Sequence, residues 1–147
     1  MVVRRRTADL VEDPIARMRS AGLRPTRQRR LLAGLLFREG DRHVTAELLH
    51  QEAEDSGCHV SLATVYNALH QFTAAGLLRQ VVVDSARNYF DTNTAPHQHF
   101  YDEEEGHLTD IAGDALKVAG LPEPPKGMAI ARVDVVVRLR SAGKSTS

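Results

Sequence analysis

An α+β chain in two parts is the architecture this sequence predicts: helices that close on a β-hairpin, then a small α/β unit. Three observations carry it. Four segments open on a capping residue (Asp13, Thr26, Thr45, Ser61) and stop at or near a glycine, with apolar residues at helical spacing between. A strand pattern from Leu78 to Asp91 is interrupted by Asp84-Ser85-Ala86-Arg87, which reads as a hairpin. After residue 91, short strand patterns replace the helical ones.

In order along the chain, residues 1–12 read as a flexible arm. Asp13-Pro14 starts a first helix with Ile15 and Met18 on one face and a stop at Gly22. Thr26 caps a second helix whose stripe is Leu31, Leu32, Leu35 and Leu36 and whose end is Gly40-Asp41. Thr45 caps a third, to about Ser56, carrying Leu48, Leu49 and Ala53 inward. Ser61 caps a fourth, to about Ala75. Leu62, Val65, Leu69 and Phe72 share one side of it. Ala63, Thr64, Asn67, His70 and Gln71 share the other, with Tyr66 at the border. Strands at Leu78–Val83 and Asn88–Asp91 complete the order of a winged helix-turn-helix, residues 13–91.

A hinge at residues 92–95 leads into an α/β dimerisation and ligand-sensing unit at 96–140, and residues 141–147 form a tail. Strands are expected at His97–Asp102 and His107–Ile111 around the acidic turn Asp102–Gly106, with a short helix at Asp114–Ala119. Pro122, Pro124 and Pro125 form a stiff break. Ile130–Arg140 is the clearest strand, with Val133, Val135, Val137 and Leu139 on one face. So little core predicts completion by a second copy of the chain.

Composition narrows the function. The 147 residues carry 19 basic and 19 acidic side chains, a formal charge of zero. That total conceals an asymmetry: residues 1–30 hold nine Arg against three acids, whereas residues 91–147 hold six basic side chains against nine acids. Arginine's planar fork suits phosphates and base edges. The lone Cys58 excludes an intramolecular disulfide and any zinc site needing two cysteines of one chain. No segment approaches the ~20 apolar residues of a membrane span, and no apolar run follows the basic start, so a cytoplasmic protein without a membrane role is expected.

Two chemistries stand out. The fourth helix offers Thr64, Tyr66 and Asn67 as groups able to reach base edges in a major groove, behind the cap Ser61. The cluster around Arg24, Thr26, Arg27 and Arg29 suits phosphate at a helix start, and Arg87 at the hairpin tip suits a phosphate or minor groove. Any surface helix has a polar face; the ordered set of basic start, polar helix and basic hairpin is what points to double-stranded DNA. Separately, His97 and His99 alternate onto one strand face. With His43, Asp91 and Asp110 they offer three nitrogens and two carboxylates, a set suited to Fe(II), Mn(II) or Zn(II). The set draws on both halves, so an ion bound by it would fix the angle between them. His50, His59, His70 and His107 read as ordinary surface histidines, with His107 near enough to be an outer ligand. An enzyme using the same set would need an open coordination position and a base. The Glu103–Glu105 turn could supply a base, but no pocket-forming motif accompanies it, so a non-enzyme is expected.

The runs Gly22–Arg29, His43–Glu47, Ser61–Asn67, Gly76–Val81, Tyr89–Asn93 and Ile130–Arg140 together resemble the ferric uptake regulator (Fur) family, and within it most closely the iron response regulator (Irr) branch of alphaproteobacteria. The resemblance spans roughly residues 15–140. It implies a homodimeric transcription factor acting on iron and haem genes through an AT-rich operator. It implies a haem- or iron-responsive repressor or activator whose activity is lost when haem signals sufficiency, with haem on His97 and His99 and with a haem-delivering or haem-synthesis protein as a partner. The family's regulatory metal set, for Fe(II) or Mn(II), falls on His43, Asp91, His97, His99 and Asp110, spaced as in the peroxide-sensing branch. A metal-only (Fe, Mn or peroxide) sensor is therefore the alternative. The chain departs from the pattern in three places. It lacks the Cys-x-x-Cys pairs of a four-cysteine structural zinc site. It has His97-Gln98-His99 where Irr-type chains often carry three consecutive histidines. Cys58 precedes His59, not the proline of a Cys-Pro haem motif.

Overall fold

The computed structural model describes residues 13–143, so the arm read at residues 1–12 and the tail residues 144–147 lie outside the described residues. The chain divides between Thr94 and Ala95 into two compact units. No described helix is long and apolar enough to cross a membrane.

The first unit runs α1 (Pro14–Ser20), α2 (Arg27–Leu36), β1 (His43–Val44), α3 (Ala46–Asp55), α4 (Leu62–Ala74), β2 (Arg79–Asp84) and β3 (Arg87–Asp91). Each helix starts where a side-chain oxygen meets an orphan backbone N–H. Asp13 accepts from Ile15, Thr26 from Arg29, Thr45 from Leu48 and Ser61 from Thr64. After α4 the N–H of Gly76 donates to the Thr73 carbonyl and that of Leu77 to the Phe72 carbonyl. This pair of bonds needs a left-handed residue between helix and strand, and Gly76 has φ 83°. The same pair of bonds closes α1 and α3. α2 ends differently: it stops at Leu36, short of the expected Gly40-Asp41. The Leu35 carbonyl is taken up by the Arg42 guanidinium, 3.2 Å away, so the last turn is satisfied without a left-handed cap.

The helices close over one core of Met18, Leu32, Leu36, Val44, Leu49, Val65, Leu69, Phe72, Leu77 and Phe90. Leu48, expected inside, is 43% exposed. Ala46, Leu49 and Ala53 form the buried stripe of α3, and Leu48 lies one position off it. Beside the helices, β1, β3 and β2 form an antiparallel sheet in that order. The β2–β3 turn is the two residues Ser85-Ala86, tighter than the four-residue connection expected, with Asp84 accepting from the Ala86 N–H at 2.8 Å. No pattern in the sequence marks β1, which pairs His43 and Val44 with Asp91 and Phe90.

The second unit has β4 (Gln98–Asp102), β5 (His107–Ile111) and β6 (Val136–Leu139), ordered β5–β4–β6, with β4 antiparallel to β5 and parallel to β6. Two expectations fail here. The helix at Asp114–Ala119 does not form: Ala115 N–H makes an isolated turn to the Ala112 carbonyl, and Leu116 is half-buried among exposed neighbours. So short a segment without a face to bury does not hold a helix. Among the described residues this unit is therefore built of strands, not α/β. The strand expected over Ile130–Arg140 shrinks to four residues, because β4 offers ladder partners only from His99 to Asp102.

Candidate metal centre and nucleic-acid interface

The two-residue β1 has a chemical consequence in the first unit. It sets His43 opposite Asp91, and His43 Nε2 lies 3.2 Å from Asp91 Oδ2. Asp91 is buried, and its Oδ1 accepts from the Asn93 N–H at 2.9 Å, which leaves Oδ2 turned to the imidazole. Just beyond this rung, the Arg42 N–H donates to Thr92 Oγ1 at 2.9 Å and the Thr92 N–H donates to the Arg42 carbonyl at 3.0 Å. The Arg42 guanidinium grips both oxygens of Glu52 on α3, at 3.1 and 2.6 Å. Arg79, also buried, stands opposite Asp91 on β2, so His43, Asp91 and Arg79 form one row across the sheet. None of Arg42, Glu52, Arg79 or Thr92 was readable as functional. The only signal was adjacency, Arg42 beside His43 and Thr92 beside Asp91.

In the second unit His97 and His99 share a face, as alternation requires. Both are buried, with ring centroids 4.5 Å apart. Their Nε2 atoms lie 3.4 and 3.6 Å from Asp110 Oδ1, and Asp110 sits opposite His99 in the β4–β5 ladder. His97 Nδ1 lies 2.6 Å from the Ala95 carbonyl. A carbonyl only accepts, so Nδ1 donates to it and the Nε2 edge of the ring is the one turned toward Asp110. His107 pairs with Asp102 at the opposite end of β5 from Asp110, so it is not an outer ligand. Gln98, between the two histidines, turns to the other side. Its Oε1 accepts from the Val135 N–H at 2.6 Å and its Nε2 donates to the Val133 carbonyl at 3.2 Å, doing with an amide what a further ladder rung would do.

The donor types, imidazole nitrogen and carboxylate oxygen, are those that suit a first-row divalent cation. At the acidic turn Asp102 behaves differently. The Glu105 and then the Glu104 N–H hold its carboxyl below the usual aspartate range, with a smaller contribution from His107.

On the reading face, Arg24, Arg27, Asn67, His70 and Gln71 are exposed. Several of the predicted contact residues also make hydrogen bonds within the unit. Thr26 and Ser61 serve as caps, and the Ser61 hydroxyl donates to Thr64 Oγ1 at 2.9 Å. Arg29 donates from Nε and Nη2 to Gln71 Oε1 at 3.1 and 2.8 Å, and from Nη1 to the Arg24 carbonyl at 2.6 Å. It braces the start of α2 against α4. The Tyr66 hydroxyl donates to Glu47 Oε2 at 3.1 Å. That bond, with burial and the Glu47 charge behind it, raises the Tyr66 pKa. Its ring stacks on His70, which meets Phe90 edge-on. Arg87 is exposed near the hairpin tip, 3.9 Å from Asp84 Oδ2. His50 and His59 have ordinary roles, His50 against the Val60 carbonyl and His59 against Glu54.

Known proteins resemble this chain in sequence and in fold. The model of the ferric uptake regulator family matches residues 20–137. The peroxide-responsive repressor PerR of Staphylococcus aureus (strain Mu50 / ATCC 700699) is 32% identical over 101 residues, covering 69% of this chain and 68% of that protein. The ferric uptake regulator of Vibrio cholerae has the same fold at TM-score 0.69, with 21% identity over 88% of this chain and 100% of that one. The ferric uptake regulator of Pseudomonas aeruginosa with manganese superposes at TM-score 0.66, with 23% identity over 89% and 99% of the two chains. The family match runs through both the capped helices and the His97–Asp110 strands, and the chain belongs to the ferric uptake regulator family: it is a metal-responsive, DNA-binding regulator of transcription, not an enzyme.

Proposed function

We propose that the chain is a cytoplasmic, homodimeric repressor of the metal-only kind, responding to Fe(II) or Mn(II), or to peroxide through bound Fe(II). The ligands are His43, Asp91, His97, His99 and Asp110. The observation that carries the reading is the convergence of two buried imidazole Nε2 atoms on the Asp110 carboxylate, with the His97 ring held through Nδ1 by the Ala95 carbonyl. A bound ion would supply a fixed positive charge, and the chain's own groups would hold and orient it. α4 reads an AT-rich duplex through Thr64, Asn67 and the Tyr66 ring, with Arg24, Arg27 and Arg87 on phosphates. Support for a homodimer comes from Val118, Leu121, Met128, Ile130 and Leu139, large apolar side chains exposed on the second unit.

The Irr-type reading, haem on His97 and His99, rests on the motif resemblance. A carboxylate shared by both imidazoles favours a hard divalent ion over haem iron. The test is Mn(II) titration and gel shift on a duplex selected from a random pool, with parent and His97→Ala/His99→Ala protein. Mn(II)-dependent binding lost in the variant is the expected result. Mn(II)-independent binding abolished by haem, with a visible haem band that disappears in the variant, would replace this reading with the Irr-type one.

A further inference from the structure

The geometry points to Arg42 as the positioning residue of the His43–Asp91 ligand pair, and this rests on the metal reading above. A ligand strand of two residues has too few ladder bonds to fix its own register. Metal affinity nevertheless depends on donors placed to within a few tenths of an ångström. Something outside β1 has to hold it, and the six hydrogen bonds of Arg42 do so. Three are exchanged with Thr92, so the residue before His43 is tied to the residue after Asp91. The other three reach the Leu35 carbonyl at the end of α2 and both oxygens of Glu52 on α3. The ligand rung is thereby keyed to the helices behind the reading head. Arg42 itself touches neither carboxylate nor imidazole of the pair through any of these bonds, so its effect on the ion is indirect.

Arginine suits this place because a single planar guanidinium serves a bidentate carboxylate and a carbonyl together, which the point charge of lysine does not. The Thr92 hydroxyl is the more delicate member. It accepts from the Arg42 N–H at 2.9 Å and donates at 3.4 Å toward Asp41 Oδ1 and the Arg42 carbonyl, so an isosteric valine removes the side-chain part of the lock, keeps the Thr92 N–H bond and changes no charge.

The experiment uses the full chain and Mn(II) alone as the probe. Parent, Thr92→Val, Glu52→Gln and Arg42→Lys proteins are titrated with Mn(II), and free Mn(II) is read by electron paramagnetic resonance. The thermal midpoint of each metal-free protein is measured alongside. Thr92→Val and Glu52→Gln should each weaken Mn(II) binding about tenfold or more, as removal of partners behind a metal ligand generally does. The double variant should lose less than the sum of the two, because both act through Arg42. A merely structural role would lower the metal-free midpoint and leave Mn(II) affinity of the folded protein at the parental value; that outcome overturns the inference, and Thr92→Val still decides it if Arg42→Lys does not fold. Failure of the parent itself to bind Mn(II) overturns the metal reading, and this inference with it.

Discussion

Replacing Gln98 by alanine removes two hydrogen bonds that no other group of the strand can restore. The Val135 N–H and the Val133 carbonyl lie where β6 has not begun, so their partner is a side chain and not a ladder. At about 1 kcal/mol net per bond, the loss is about 2 kcal/mol. For a chain of this length that lowers the unfolding midpoint by roughly 4–8 °C. Hydrogen exchange locates the effect. The Val135 amide should lose its protection in Gln98→Ala while the Tyr101 and Leu108 amides of the β4–β5 ladder keep theirs. Unchanged exchange at Val135 would refute the reasoning, whatever the midpoint does. Gln98→His extends the test to function. An amide carries its donor and acceptor on one carbon, and imidazole holds its two nitrogens across a ring, so the same loss is expected. The new imidazole would face away from His97 and His99, so Mn(II) affinity should not rise.

Arg27→Ala should reduce the salt dependence of DNA binding by about 0.9 in log–log slope, as for one lost phosphate contact. Arg29→Lys should weaken binding with the slope unchanged, because Arg29 braces Gln71; equal slope changes would make Arg29 a phosphate contact after all. Glu47→Ala should return Tyr66 toward the ordinary tyrosine range in a spectroscopic titration and weaken operator binding more than binding to random duplex. Equal weakening on both would remove the Glu47–Tyr66 pair from base reading. Asp102 has a depressed pKa, so the stability it contributes is present above the ordinary aspartate range and lost as pH falls through its folded value. The gap in thermal midpoint between parent and Asp102→Ala should therefore close on acidification, and a gap that stayed constant would show that the carboxylate's charge is not what matters.

What could be read from the sequence was local. The caps Asp13, Thr26, Thr45 and Ser61 start their helices because a side-chain oxygen and an N–H three or fewer residues away settle the matter. His97 and His99 share a face because strand alternation is a property of a few consecutive residues. Apart from Leu48, which lies one position off the buried stripe of its own helix, and the tighter hairpin turn, the failures are non-local. Whether residues 130–135 join the sheet depends on where β4 ends, and alternation carries no such information. The Asp114–Ala119 pattern looked helical, but a helix needs something to bury against. The His43–Asp91 pair is the instructive case. Both residues were picked out as donors, yet their meeting depends on β1, whose two residues show no periodicity. The Glu47–Tyr66 and Arg29–Gln71 bonds likewise join helices through residues distant in sequence, and no local pattern announces them.

The β1–β3 rung joins positions 43 and 91, a span of 48 residues. An ion shared by those two side chains would close a loop of that size in a protein whose single cysteine rules out an internal disulfide. Loop-closure entropy for such a cross-link amounts to about 4 kcal/mol. Loading would then slow global unfolding and, with it, digestion by any protease that acts on opened chains. The lifetime of the regulator would become a second record of metal supply, kept in how much of the protein survives.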